Sequence, residues 1–213
     1  MSDMIFLGIE LLGVVSFALA GAVVGVKKKL DLFGVLILGL TTACGGGVIR
    51  DLILGITPPM MFRSPIYAGV ALGTSLVVFM PAVRHIIEKY QRYYELFMLI
   101  TDSIGLGIFT VVGIQIAAGV TWDSNIFLMV FVGVITGCGG GVIRDTMIGD
   151  TPMIFVKHFY ASASLIGALL YLAVWSGRDE MLATIVGATS IVVLRCMAAH
   201  YHWNLPKVED MDL

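Results

Sequence analysis

The sequence predicts an all-α membrane protein of seven transmembrane helices, in which two halves of three helices each are followed by one extra helix. Three observations predict this class. Hydrophobic residues make up 58% of the 213 residues and charged residues only 13%, about half the charged share of ordinary soluble domains. Apolar stretches of about 20 residues, the length that crosses the hydrocarbon core of a bilayer, recur along the whole chain. One glycine-rich motif occurs twice.

Composition also excludes several classes of protein. The formal net charge of -2 offers no basic excess for nucleic acid. The three cysteines (Cys44, Cys138 and Cys196) lie in apolar runs, and an odd number does not indicate a disulfide framework. No basic residue precedes the first apolar run, so we expect that run to be a retained span rather than a signal peptide. The expectation is one transmembrane domain over 1–213, with no nucleic-acid partner.

Seven spans follow from the lengths of the apolar runs. In chain order they are about 5–26, 32–54, 65–83, 95–118, 126–148, 159–175 and 181–199. Charges or helix breakers separate them, which are, in order, Lys27 to Asp31, Thr57-Pro58-Pro59, Arg84 to Arg92, Trp122-Asp123-Ser124, Thr151-Pro152, and Gly177 to Glu180. The sixth span is the shortest and is flanked by Lys157 and His158.

Basic residues fix the predicted orientation, because cytoplasmic loops carry an excess of Lys and Arg. With the N-terminus outside, the outer loops hold only Arg63 and Arg178, while Arg50, Arg144 and Arg195 lie within spans. The eight others are then cytoplasmic: Lys27, Lys28, Lys29, Arg84, Lys89, Arg92, Lys157 and Lys207. We therefore expect the N-terminus outside and the C-terminus, with its short polar tail, in the cytoplasm.

An internal repeat is the strongest signal in the chain. The segment Cys44-Gly45-Gly46-Gly47-Val48-Ile49-Arg50-Asp51 recurs unchanged from Cys138 to Asp145, and Gly13, Phe17 and Gly21 correspond to Gly105, Phe109 and Gly113. The copies lie in spans two and five, so an odd number of spans separates them and they cross the membrane in opposite directions. We predict an inverted repeat of about 5–83 and 95–175, with an extra helix at about 181–199. Inverted repeats with interrupted helices are typical of a transport pathway near the midplane.

The glycine triplets have two interpretations. Three consecutive glycines favour a kink or local unwinding, since each costs a helix about 1 kcal/mol relative to alanine in water. Such a break would offer carbonyls to a cation and amides to an anion. Alternatively, the glycines let another helix approach closely, as small residues do in membranes. Their symmetric recurrence beside charged residues favours helices two and five that are broken at the glycines and line a pathway.

Two Arg-Asp pairs inside the membrane are functional candidates because charges there are costly. We expect Arg50 towards the outer end of its span and Arg144 towards the inner end, too far apart for an Arg50–Asp145 bond. Adjacent helical residues such as Arg50 and Asp51 point about 100° apart, so each charge is expected to meet polar groups near its own end. The alternative is a pair of snorkelling arginines with no role in transport.

Other polar residues lie within the spans. Ser16 and Thr110 occupy near-equivalent places in the repeats and either line the lumen or bond to their own helix backbone. Asp102 is expected to be a helix-start acid, and Arg195 to snorkel towards the cytoplasm. No nucleophile and base stand together, so neither an enzyme nor a cofactor is expected.

At these residues the chain resembles the prokaryotic branch of the TRIC family, the trimeric intracellular cation channels, and related bacterial membrane proteins called glycine transporters. The similarity covers nearly the whole chain and rests on the doubled Gly-Gly-Gly-x-x-Arg-Asp. The resemblance implies a homotrimer in which each protomer has its own pore for K+ and Na+. It carries a pore role, with K+ passing beside the broken helices, onto Gly45, Gly46, Gly47, Gly139, Gly140 and Gly141, and a lining or gating role onto Arg50, Asp51, Arg144 and Asp145.

Three functional hypotheses follow. The first is a monovalent-cation channel in a bacterial inner membrane, with other copies of the chain, cations and membrane lipids as its partners. The second is a secondary transporter of glycine or another small amino acid, because carbonyl and amide ends at one break suit the two charges of a zwitterion. The third is a structural role in which the repeat serves only packing.

Overall fold

The computed structural model describes residues 3–120, 125–156, 159–175 and 179–203, and these residues form ten helices and no strand. The helices are α1 (Asp3–Lys27), α2 (Leu32–Ile53), α3 (Met60–Arg63), α4 (Pro65–Phe79), α5 (Pro81–Lys89), α6 (Gln91–Val120), α7 (Ile126–Met147), α8 (Met153–Val156), α9 (Tyr160–Val174) and α10 (Glu180–His200). Each predicted span overlaps one of the longer helices, and the third also runs into α5.

Among the described residues, five helices are long and apolar enough to cross a membrane: α1, α2, α6, α7 and α10. The bent pair of α4 and α5 brings the number to six if it counts as one span. Helix α9 has only 15 residues, fewer than the about 20 that a straight crossing needs. The all-helical membrane class is therefore confirmed, whereas the count of seven spans and the opposite insertion of the halves stay predictions. The predicted boundary residues Trp122, Asp123, Ser124, Lys157, His158, Gly177 and Arg178, and the tail with Lys207, lie outside the described residues.

The third predicted span ends earlier than expected. Helix α4 stops at Phe79, and α5 continues at an angle of 70° to it. Pro81 is the cause, because proline lacks an N–H and disfavours a helical conformation in the residue before it. Met80 accordingly has φ -57° and ψ 140°. Helix α5 carries Arg84, His85 and Lys89 beside apolar residues, a pattern typical of a helix at the membrane surface.

Helices α2 and α7 run uninterrupted through their glycine triplets, so the prediction that helices two and five are broken at the glycines is wrong. In a membrane the backbone must satisfy its hydrogen bonds internally, which opposes unwinding. Close packing of small residues supplies a further reason to stay helical. The second interpretation of the glycines therefore describes the backbone correctly.

The repeat extends into the ends of these two helices. Gly55 and Gly149 follow α2 and α7 with φ of 71° and 73°, a left-handed conformation that glycine adopts without strain. Both turns lead into the one-turn helices α3 and α8. At the centre of the bundle, Phe17 of α1 packs against Phe109 of α6 with ring centroids 5.3 Å apart.

Candidate functional site

The two glycine triplets meet where α2 and α7 cross. A Cβ atom added at Gly46 would collide with the backbone carbonyl oxygen of Thr136, and one at Gly140 would collide with that of Thr42. A Cβ at Gly139 would lie 3.1 Å from the Cα of Gly46. The middle glycines therefore form a direct contact of backbone on backbone, which any side chain would open.

The outer members of the triplets have different surroundings. Gly45 faces the side chain of Ile143. A Cβ at Gly47 would meet nothing nearer than Nη2 of Arg50, at 3.6 Å, whereas one at Gly141 would lie 2.9 Å from the Tyr160 hydroxyl. Of the six predicted pore glycines, Gly47 has the most room around it on the side its Cβ would occupy.

Each arginine pairs with the aspartate that follows it. Arg50 Nε donates to Asp51 Oδ1 at 2.8 Å, and Arg144 Nε donates to Asp145 Oδ1 at the same distance. Adjacent helical positions point about 100° apart, but the long arginine side chain reaches its neighbour's carboxylate in both pairs. No bond joins Arg50 to Asp145 among the described contacts, as the helix lengths predict.

The second carboxylate oxygen of each aspartate accepts a hydrogen bond from a backbone N–H further along the chain. Asp51 Oδ2 accepts from the backbone N–H of Met60 at 2.7 Å, and Asp145 Oδ2 accepts from that of Met153 at 2.9 Å. Hydrogen bonds to a charged acceptor are the stronger kind. Each Arg-Asp pair thus fixes the start of the short helix beside it, α3 in the first half and α8 in the second.

Asp102 and Arg195 belong to the second of these clusters. Asp102 lies eleven residues after the start of α6, is fully buried, and accepts from Arg144 Nη1 at 2.8 Å. Arg195 of α10 is also buried, with Nη2 3.4 Å from Asp102 Oδ2 and Nε donating to Ser103 Oγ at 2.8 Å. The expectations of a helix-start acid and of a snorkelling arginine are both wrong, because packing of α10 on α6 brings these charges together.

The first cluster contains two residues that the sequence analysis missed. Glu10 of α1 is 5% exposed, and its Oε2 accepts from the hydroxyl of Tyr67 at 2.6 Å. Both had a detectable signal: Glu10 precedes Asp102 by the spacing that relates Gly13 to Gly105, and Tyr67 stands in the repeat where Tyr160 stands in the second half.

The second cluster holds buried polar atoms without a hydrogen-bond partner among the described residues. They are Arg144 Nη2, Arg195 Nη1, Asp102 Oδ2 and Tyr160 Oη. Arg195 also stacks its guanidinium 4.3 Å from the centre of the Tyr160 ring. Unsatisfied buried groups are rare in folded proteins, and these four atoms belong to one cluster.

Two cavities lie at the two clusters, one at each. The Asp51 cleft encloses about 370 Å³ including its opening, and is lined by residues that include Glu10, Cys44, Gly47, Arg50, Asp51 and Tyr67. The Asp145 groove encloses about 2380 Å³ including its opening, and its lining includes Lys27, Lys28, Asp145, Asp150, Arg195 and Cys196. The two linings share no residue, and each reaches the aspartate of one Arg-Asp pair.

Ser16 and Thr110 lie apart from these two linings. Thr110 is fully buried, donates or accepts at 2.7 Å with Ser164 Oγ, and bonds to the Leu106 carbonyl of its own helix at 2.7 Å. Thr110 therefore bonds to its own helix backbone, which was the second of the two alternatives considered for it. Ser16 is half-buried on α1.

Known proteins similar to this chain were found in three comparisons. A family model described as "Glycine transporter" matches residues 7–82 and again 99–176. A UPF0126 membrane protein of Deinococcus radiodurans is 39% identical over 207 residues, covering 93% of this chain and 89% of that protein. The UPF0126 inner membrane protein YadS of Escherichia coli K12 is 32% identical and covers 93% of each chain.

Solved structures are similar over nearly the full length. One, described as "Structural basis for conductance through TRIC cation channels", has a TM-score of 0.81 and 36% identity, and covers 100% of both chains. Another, the TRIC trimeric intracellular cation channel orthologue from Rhodobacter sphaeroides, has a TM-score of 0.85 and 30% identity over 94% of this chain and 100% of that one. The predicted resemblance is confirmed: with its fold shared with TRIC channels and its sequence matched twice by one model, the chain belongs to the Glycine transporter family.

Proposed function

We propose that this protein is a channel for monovalent cations, K+ and Na+, with one pore in each protomer of a homotrimer. The solved structures that it resembles are described as TRIC cation channels, one of them trimeric. The observation that carries the proposal is the pair of cavities with separate linings, each of which reaches the carboxylate of one Arg-Asp pair. This arrangement suits passage of an ion rather than catalysis.

The proposed pathway runs from the Asp51 cleft, past the crossing of α2 and α7, into the Asp145 groove. Gly47, Arg50 and Asp51 stand at one end, and Arg144 and Asp145 at the other. Because the helices are unbroken, their carbonyls are not free to replace the hydration shell of K+. Cations therefore pass with part of their water, attracted by the carboxylates of the two clusters.

The separate linings of the two cavities correspond to a closed form of the pathway. Phe109 lines the Asp51 cleft and packs on Phe17 with ring centroids 5.3 Å apart, while the Phe17 ring lies 3.3 Å from the position of a Cβ at Gly140 in the glycine crossing. Opening requires these packed groups to shift. A bistable packing of this kind is a usual element of gating.

The proposed location is the bacterial inner membrane, with the N-terminus outside and the C-terminus in the cytoplasm. Several apolar side chains face away from the bundle, among them Leu12, Phe127 and Leu165. Such side chains suit contact with lipid or with neighbouring protomers.

Ion flux from proteoliposomes tests the proposal. Vesicles that are loaded with KCl and contain the purified protein are diluted into K+-free medium without valinomycin, which sets up an outward K+ gradient, and a proton ionophore compensates the charge. These vesicles should release K+ much faster than protein-free vesicles. The same vesicles should show no saturable uptake of labelled glycine. Saturable glycine uptake without K+ release would replace the channel with the secondary transporter, and intact trimers with neither activity would favour a packing role for the repeat.

A further inference from the structure

Glu10 is a buried acidic residue that lines the Asp51 cleft. Its Oε2 accepts from the Tyr67 hydroxyl at 2.6 Å. The residue is only 5% exposed and lines the cleft. A buried carboxylate is costly unless an opposite charge or further polar groups compensate it.

The charges that line the cleft do not balance. Its lining contains two carboxylates, Glu10 and Asp51, and one guanidinium, Arg50. Arg50 already donates through Nε to Asp51 at 2.8 Å. Glu10 is therefore the surplus negative charge of this cavity.

The equivalent position in the second half is neutralised. Asp102 accepts from Arg144 at 2.8 Å and lies 3.4 Å from Arg195. Together with Asp145 this cluster has two carboxylates and two guanidiniums. The balancing Arg195 comes from α10, the helix that has no counterpart in the first half. The two ends of the proposed pathway thus differ by one charge.

We propose that Glu10 determines cation preference, by holding a partly hydrated monovalent cation in the Asp51 cleft and repelling anions from it. The proposal rests on the channel function proposed above and adds the residue responsible for its selectivity. The site takes a singly charged ion because one surplus charge is present, and oxygens of Glu10 and Tyr67 with water are its ligands. Asp102 has no such role, because two arginines already compensate its charge.

Reversal potentials in asymmetric KCl test this assignment. At about 0.1 M KCl, where the Debye length is about 10 Å, Glu10→Gln should lower the permeability of K+ relative to Cl- by about tenfold. Because Glu10 is buried, salt screens its charge only weakly, so the variant should differ from the wild type at about 1 M KCl as well. Glu10→Asp should restore most of the preference because it keeps the charge.

The matched control is Asp31→Asn, which removes one negative charge at an exposed position. Asp31 caps α2 by accepting from the Gly34 N–H at 2.7 Å, and asparagine caps helices equally well. This variant should select ions like the wild type. The assignment is overturned if Glu10→Gln keeps the wild-type reversal potential at low salt, or if Asp31→Asn changes it as much.

A second measurement does not depend on current. Crystals of the wild-type protein soaked in Tl+, a heavy analogue of K+, should show anomalous density beside the Glu10 carboxylate, and crystals of Glu10→Gln should not. If folded wild-type protein passes no current, the channel proposal fails, while the Tl+ density still decides whether Glu10 binds a cation. Absence of that density from the wild type overturns the site.

Discussion

The contact of backbone on backbone at the glycine crossing predicts opposite effects of two alanine substitutions in one triplet. In Gly46→Ala the new methyl group collides with the carbonyl oxygen of Thr136, which cannot rotate away. Overpacking costs about 1–3 kcal/mol, and a rigid neighbour puts this site near the upper limit. The gain in helix propensity is about 1 kcal/mol, so Gly46→Ala should lose about 2 kcal/mol.

The matched control is Gly47→Ala, because its methyl group would meet nothing nearer than 3.6 Å. This variant should be as stable as the wild type or gain up to about 1 kcal/mol from helix propensity. For a chain of this length 1 kcal/mol corresponds to about 2–4 °C in Tm. We therefore expect Tm to fall by about 4–8 °C in Gly46→Ala and to stay level or rise in Gly47→Ala.

Thermal unfolding of the purified protein in detergent, followed by tryptophan fluorescence, measures both values. Gly140→Ala opens the same crossing from the other helix, so adding it to Gly46→Ala should cost less than the sum of the two single losses. Equal stability of Gly46→Ala and Gly47→Ala, or additive losses in the double variant, would refute the packing argument.

Three further predictions follow from the two clusters. Arg144→Met leaves Asp145 without its ionic partner and Asp102 with Arg195 alone, and it should cost about 3–5 kcal/mol, enough to abolish the folded oligomer in size-exclusion chromatography; a well-folded variant would contradict this. Tyr160→Phe removes a buried hydroxyl that has no hydrogen-bond partner among the described residues and should change stability little. Tyr67→Phe breaks a hydrogen bond to a carboxylate and should cost about 1.5–3 kcal/mol. Thermal unfolding measures both, and a larger loss of Tm in Tyr160→Phe would be inconsistent with these contacts. In single-cysteine variants, membrane-impermeant thiol reagents should modify Cys44 from one side of the membrane and Cys196 from the other, because they line different cavities; modification of both from one side would contradict the pathway.

The sequence allowed accurate prediction of where the long helices lie, because length and apolarity are properties of single segments. It also located the glycine motif, since an unchanged eight-residue repeat is visible without a structure. The state of the helix at Gly46 and Gly140 was predicted wrongly. Propensity measured in water favours a break, whereas the outcome depends on what the opposite helix presents at the crossing.

The composition of the clusters was only partly predictable. Arg50, Asp51, Arg144 and Asp145 stand out as charges within apolar runs. The roles of Asp102 and Arg195 could not be predicted in the same way, because their pairing depends on how α10 packs on α6. Glu10 was predictable in principle, since it occupies the place of Asp102 in the first half, but the match is of charge type rather than of identity.

Single-channel recording in planar bilayers tests the central claim most directly. The purified protein, with a gradient of KCl across the bilayer, should give unitary currents that reverse near the equilibrium potential of K+. Replacing K+ by a large organic cation on one side should abolish the current carried from that side. Folded, correctly assembled protein that gives no unitary current at any voltage, or currents that reverse at the equilibrium potential of Cl-, would contradict the account.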